Sequence, residues 1–191
     1  MGLMPLTELN NNDKKILLET AKKSINFGML NQRALPVKLN EFDKKFQEDA
    51  ASFVTLTLNN NLRGCIGTLE AHQALIKDVS DHAYAAAFED PRFPKLNKKE
   101  LTEIEISISI LTPAVAMNFS SEKDLLSQLE PGTDGIILKA GFKKATFLPA
   151  VWEQLKSPED FLNHLKIKAG LNANDWPDQI TISRYRTISF K

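Results

Sequence analysis

Ser52-Phe53-Val54-Thr55-Leu56-Thr57-Leu58-Asn59-Asn60-Asn61-Leu62-Arg63-Gly64-Cys65-Ile66-Gly67-Thr68 reads as two extended arms joined by a turn. In the first arm, apolar residues alternate with small polar ones, the period-two pattern of a half-buried strand. Asn59 to Asn61 tolerates the left-handed conformations of a tight turn, so the second arm returns as the partner strand of a hairpin. That arm carries the single cysteine of the chain. Alternation along it places Arg63, Cys65 and Gly67 on one face and Leu62, Gly64, Ile66 and Thr68 on the other. A guanidinium beside a thiol favours the reactive thiolate. Gly67, with no side chain, leaves room beside the sulfur for a ligand or for packed backbone. A structural reading stands next to this one: a lone cysteine is commonly a small buried hydrophobe, and strand glycines mark bulges or close packing.

Downstream, Ala74 to Phe88 has helical spacing, with Leu75, Val79, Ala83 and Ala86 as its apolar stripe and Asp78, His82 and Glu89 on another face. The run Ala85-Ala86-Ala87 lets a helix come close to a sheet, and Gly64 and Gly67 suit that approach. Asp78 and His82 are one turn apart. They could form a base held by a carboxylate, but a solvated pair on the helix surface is the more economical expectation. In Glu89-Asp90-Pro91-Arg92-Phe93-Pro94, two prolines stiffen the backbone around Arg92 and Phe93. Asp90 and Arg92 either orient a polar ligand or pair with each other to anchor the loop while Phe93 plugs the core.

Upstream, Asn10 to Asp13 offers an N-cap to a helix running to about Asn26, with Gly28 as a stop, and residues 31 to 47 read as a linking segment. Ile104, Ile106, Ile108 and Ile110 alternate with polar residues as a strand. Ser120 or Ser121 caps a helix over Glu122 to Leu129. Pro131 to Gly135 turns into an apolar strand over Ile136 to Lys139, which returns through Ala145 to Pro149 and leaves Lys143 and Lys144 as a solvated cationic tip. A helix opens near Pro149, and Ser157-Pro158 opens another that buries Phe161, Leu162 and Leu165 and ends at Gly170. Ile180, Ile182, Arg184, Arg186, Ile188 and Phe190 then share one side of an extended segment. Its two arginines either face a cleft or are turned to water by a bulge.

The chain has 24 Lys and Arg against 24 Asp and Glu, so no global field draws in nucleic acid or an anionic membrane. A single cysteine makes neither an intrachain disulfide nor a cysteine-based zinc site, and His72 and His82 have no metal-ligand spacing. The glycines near Gly132 and Gly135 form no phosphate-binding or dinucleotide motif. With no leader-like apolar segment in residues 1 to 12 and no stretch of membrane-spanning length, a soluble cytoplasmic protein is expected.

Leu62 to Thr68, Asp90-Pro91-Arg92-Phe93-Pro94, and Thr146-Phe147-Leu148-Pro149 leading to Val151-Trp152-Glu153 occur in that order, followed by Lys168-Ala169-Gly170-Leu171. Together they resemble the AMMECR family, which includes the AmmeMemoRadiSam system protein A, over approximately residues 10 to 190. The resemblance implies an α+β fold of mostly antiparallel sheet packed with helices. It also implies one AMMECR-type domain over 1 to 191, with a larger and a smaller lobe forming a cleft near the cysteine motif. Ala150 stands where glutamine is expected and Ala145 where glycine is frequent. By association, the resemblance implies a modification pathway shared with a Memo-like protein and a radical S-adenosylmethionine enzyme. This chain has no cysteine cluster for an iron-sulfur centre and is not itself the radical enzyme. No cofactor is assigned.

Two functions follow. In one, Cys65 is a nucleophile or a substrate-binding thiol, Arg63 steadies its anion, Arg92 or Arg184 orients a polar substrate, and Gly64, Gly67 and Asp90 shape the site, with His82 a distant base. In the other, the protein is a non-catalytic adaptor for a small molecule or a peptide, and Cys65 is packing.

Overall fold

The computed structural model describes residues 9–191. The segment read for a leader falls partly in residues 1–8, outside that range. The described chain divides into two compact units, one running through Leu111 and including Ile188–Lys191, the other Thr112–Thr187.

The first unit opens with α1 (Asn11–Asn31). Asn10 caps it: its side chain accepts from the Asp13 N–H at 3.0 Å, and the Asp13 carboxylate accepts from the Asn10 N–H at 3.0 Å. Gly28 does not stop this helix, which runs on to a left-handed Gln32. A Cβ at Gly28 would lie 2.4 Å from the Tyr84 ring, so the missing side chain lets α1 press against its neighbour. The linking segment contains a 3₁₀ turn at Leu39–Glu41 and one α-helical turn, α2 (Lys44–Gln47).

The hairpin forms as expected. β1 (Asp49–Leu58) and β2 (Asn61–Gly67) pair antiparallel around Asn59 and Asn60, whose φ values are 50° and 62°. β3 (Gln73–Ala74) pairs with the start of β1 and leads into α3 (Leu75–Phe88). β4 (Glu105–Leu111) follows, and the chain closes with β9 (Thr187–Phe190), giving the strand order β2-β1-β4-β9. Val54, Leu56, Ile108 and Ile110 form the inner face of this sheet. They bury against Leu17, Ala21 and Ile25 of α1 and Leu75, Val79, Ala83 and Ala86 of α3.

The second unit carries β5 (Val115–Ala116), α4 (Glu122–Gln128), β6 (Gly135–Ala140), β7 (Lys143–Phe147), α5 (Pro158–Lys168) and β8 (Ile180–Tyr185). Its antiparallel sheet has the order β5-β8-β6-β7. Ser121 caps α4 and Ser157 caps α5, with proline in the first turn of α5. Pro149–Glu153 is a short 3₁₀ turn. It lays Trp152 flat on Phe161, with centroids 3.8 Å apart and planes 6° apart, while the indole N–H donates to the Asp134 carbonyl. Ala145 lies in this core and Ala150 is exposed. The architecture is α+β. No described helix is long and apolar enough to cross a membrane.

Candidate functional site

Cys65 sits on β2, an edge strand, opposite Thr55. An ideal two-residue hairpin starting from Leu58↔Asn61 would put Thr55 opposite Gly64. A register shift at Leu56/Thr57 moves Cys65 into that place. The extra residue of the bulge is Arg63, and its effect shows in burial: Arg63 and Gly64 are both buried although they are consecutive. The simple alternation that put Arg63 beside Cys65 therefore breaks down here. Arg63 holds Glu100 with two parallel bonds, Nε to Oε1 at 2.7 Å and Nη2 to Oε2 at 3.0 Å. The hydrogen bonds from Arg63 keep the Glu100 carboxyl below its ordinary pKa, against the opposing effect of burial.

The cation that reaches Cys65 is Arg92. Its Nη2 donates to the Cys65 carbonyl at 3.1 Å, and the Asp90 carboxylate accepts the Cys65 N–H at 2.9 Å. Asp90 and Arg92 are themselves joined, Nη2 to Oδ2 at 2.7 Å and Nε to Oδ1 at 2.9 Å. An edge strand presents unpaired peptide groups. At Cys65 an ion pair completes both of them, in the place a further strand would take. Hydrogen bonds from Arg92 hold the Asp90 carboxyl far below the usual carboxylate range; burial opposes this, and the Cys65 N–H adds to it. Arg92 is raised in turn, first by Asp90, with a smaller charge contribution from Cys65.

The sequence left the Asp90 and Arg92 loop with two readings, and the pair does anchor the loop. The residue that plugs the core is Leu96, 3% exposed, whereas Phe93 is half-buried beneath the Arg92 guanidinium.

The glycines divide their work. A Cβ at Gly64 would lie 2.1 Å from the Ala86 carbonyl oxygen, so α3 rests directly on β2 there, as the alanine run suggested. At Gly67 the added atom would meet Phe53 and the Ser52 carbonyl, both at 2.4 Å, so the space is taken by the neighbouring strand and its ring.

Cys65 is half-buried, and its sulfur lies 3.1 Å from the Thr55 hydroxyl. Register continues the row to Ser107 on β4, so Cys65, Thr55 and Ser107 cross the outer face of three strands. His82 belongs to the other side. Asp78, fully buried, accepts from the Ser52 N–H at 3.0 Å and the Ser52 hydroxyl at 2.6 Å, and His82 Nδ1 lies 3.1 Å from it without hydrogen-bond geometry. Ser52 shares the helix-facing side with Val54, so the sheet separates this group from the sulfur. The Asp78 and His82 pair expected to be solvated is not: Asp78 is a buried anchor of α3 on β1 through Ser52, and His82 lies beside it with its side chain 13% exposed.

Arg184 lies in the second unit, on β8. It meets Asp134 Oδ2 at 3.4 Å and Glu130 at 3.7 Å, and Arg186 bonds Glu130 at 2.6 Å. β8 ends at Tyr185, and both arginines are matched by carboxylates. Among the described residues, no group of three His, Cys, Asp or Glu converges to hold a metal ion. Thr55, Ser107 and Glu100 were not read as site residues. Finding them requires the bulged register and contacts between distant segments.

The family model AMMECR1 matches residues 18–190. Protein LS215_2104 of Saccharolobus islandicus is 36% identical over 198 residues, covering 99% of this chain and 86% of its own. Protein MJ0810 of Methanocaldococcus jannaschii is 32% identical over 163 residues, covering 81% and 79%. The crystal structure of the uncharacterized protein PH0010 from Pyrococcus horikoshii has the same fold, with a TM-score of 0.83 at 24% identity over 95% of this chain and 92% of that one. With its bulged hairpin, its stiff Asp90 to Pro94 loop and a family match over nearly its whole length, this chain belongs to the AMMECR1 family.

Proposed function

We propose that the sheet face centred on Cys65 is the ligand-contacting surface of a cytoplasmic component of a modification pathway, acting beside a Memo-like protein and a radical S-adenosylmethionine enzyme. The observation that carries this reading is the treatment of one residue. Both peptide groups of Cys65 are fixed by Asp90 and Arg92, while the residue stays half-buried on the outer face of the sheet. Pre-organisation of this kind serves a group that must meet a ligand in one geometry. In this proposal the thiol contacts the ligand and the exposed guanidinium edge of Arg92 orients a polar group on it. Gly64 and Gly67 set the strand's depth, and Arg63 steadies the bulge through Glu100.

A second reading, the adaptor, has its own observation in favour: the hydrogen-bond partner of the thiol is a threonine hydroxyl, and Arg63 is paired with Glu100. Reconstitution separates the two. The purified Memo-like protein and radical enzyme would be combined with this protein, S-adenosylmethionine and a reductant. Association would be followed by calorimetry and turnover by S-adenosylmethionine consumption. Thiol chemistry predicts that Cys65→Ser associates normally and stops turnover. The adaptor predicts that Cys65→Ser is normal in both, while Arg92→Ala weakens association. The absence of both association and any effect on turnover with the wild-type protein would refute the pathway assignment.

A further inference from the structure

β8 keeps β6 along one side for its whole length, but on the other side β5 pairs only with Arg184 and Ser183. After the Met117 N–H donates to the Ile182 carbonyl at 2.9 Å, the chain is drawn away toward α4. There the Asn118 carbonyl accepts from Gln128, and the Ser120 N–H donates to Asp124. Before β8, a turn closed by the Ile180 N–H on the Pro177 carbonyl carries Trp176 and Asp178 into the strand. These segments enclose a cavity of about 680 Å³, a volume in the range that holds small organic ligands. The cavity belongs wholly to the second unit.

Its walls have a chemical preference. Phe119 and Trp176 meet edge to face, with centroids 5.7 Å apart and planes at 64°, so two rings form a corner. Met117, Ile180 and Ile182 add apolar surface. Asp178, two residues past Trp176, is the one ionisable residue in the lining. It is exposed, and its carboxylate has neither a hydrogen bond nor an ion pair among the described residues. Two cations lie near without lining the cavity. Lys166 is 5.9 Å from the Trp176 centroid, but it is buried and held by Glu122 at 2.6 Å. Lys139 stands opposite Thr181 on β6 and is not part of the walls.

We propose that this cavity binds a small organic ammonium ion, with the apolar body of the ligand in the Phe119 and Trp176 corner and its cationic group on Asp178. An ammonium group beside aromatic rings is attracted by their quadrupoles, and an unpaired carboxylate adds a charge-assisted hydrogen bond. An anion would meet a like charge at the only ionised wall, and a neutral molecule would leave that wall unused. The proposal is independent of the reading of Cys65, which lies in the other unit.

The test uses the full chain and three probes of similar shape: phenethylammonium, the anion phenylpropionate and the neutral phenethyl alcohol. Binding is followed by isothermal calorimetry and by the indole N–H signals of Trp152 and Trp176 in nitrogen–proton correlation spectra, which Trp176→Phe tells apart. Each variant is first checked for an unchanged melting temperature. Phenethylammonium is expected to saturate the protein in the millimolar range and to shift the Trp176 signal, while leaving that of Trp152, whose N–H is held by the Asp134 carbonyl. Asp178→Asn should weaken it about tenfold, and phenylpropionate and the alcohol should bind wild type at least about tenfold more weakly than the ammonium. Glu153→Gln, which removes an exposed charge outside the cavity, should change nothing. Equal affinity for the ammonium and carboxylate probes, equal affinity of wild type and Asp178→Asn, or no saturable binding of phenethylammonium would each overturn the proposal.

Discussion

Arg92 reaches the carbonyl oxygen of Cys65 at 3.1 Å and stands in for the N–H of a strand that is not there. Its partner carboxylate, Asp90, takes the Cys65 N–H, so one short loop closes the exposed edge of β2 at a single residue. This is costly to undo on the carboxylate side, because Asp90 is 4% exposed and its removal takes the acceptor from both the Cys65 N–H and the Arg92 guanidinium.

Asp90→Ala is therefore expected to lower stability by about 2–4 kcal/mol; Arg92→Ala removes a side chain that is itself 54% exposed but leaves the buried Asp90 carboxylate without its cation, and is expected to cost about 1–3 kcal/mol. Urea denaturation at neutral pH measures both. The sign with pH follows from the lowered carboxyl. A group more acidic in the folded state stabilises above its unfolded value and loses that contribution as pH falls. Wild type should lose stability as the pH drops below 3.8, the ordinary aspartate value. Glu100 adds to the loss below 4.5. Asp90→Asn should show a shallower acid limb; an identical limb would count against the ion pair.

Gly64→Ala would set a methyl against the backbone oxygen of Ala86, which cannot rotate away. A loss of about 3 kcal/mol or more is expected. Gly28→Ala gains about 1 kcal/mol of helix propensity but presses on a ring that can shift, so its net loss should be the smaller of the two. Thermal melts that rank the two in the opposite order would argue against α3 resting on β2.

Asp78→Ala removes the acceptor of both Ser52 groups from a fully buried position. About 3–5 kcal/mol should be lost, as for breaking a buried charged network. Hydrogen exchange at the Ser52 amide should rise selectively, whereas a uniform rise across the unit would show only global loosening.

The hairpin, the isoleucine strand and the capped helices were legible because each is written locally, in alternation, asparagine turns and serine caps. The helix past Gly28 was not, since a glycine in a helix looks the same whether it ends the helix or admits a distant tyrosine. The site was legible in membership but not in pairing. Cys65, Asp90 and Arg92 stand out by composition and stiffness. A one-residue bulge, though, sends Arg63 to Glu100 and brings Arg92 to the cysteine instead. Spacing along one strand does not encode that exchange.

The central claim is that the Cys65 sulfur belongs to a surface that meets ligand. Alkylation of the native protein with iodoacetamide, followed by intact mass and by the melting temperature of the product, tests it most directly. The account predicts one adduct, formed under native conditions on a timescale far shorter than global unfolding, with the fold retained. Protection of the thiol until the whole unit unfolds would place Cys65 in the interior and contradict the account.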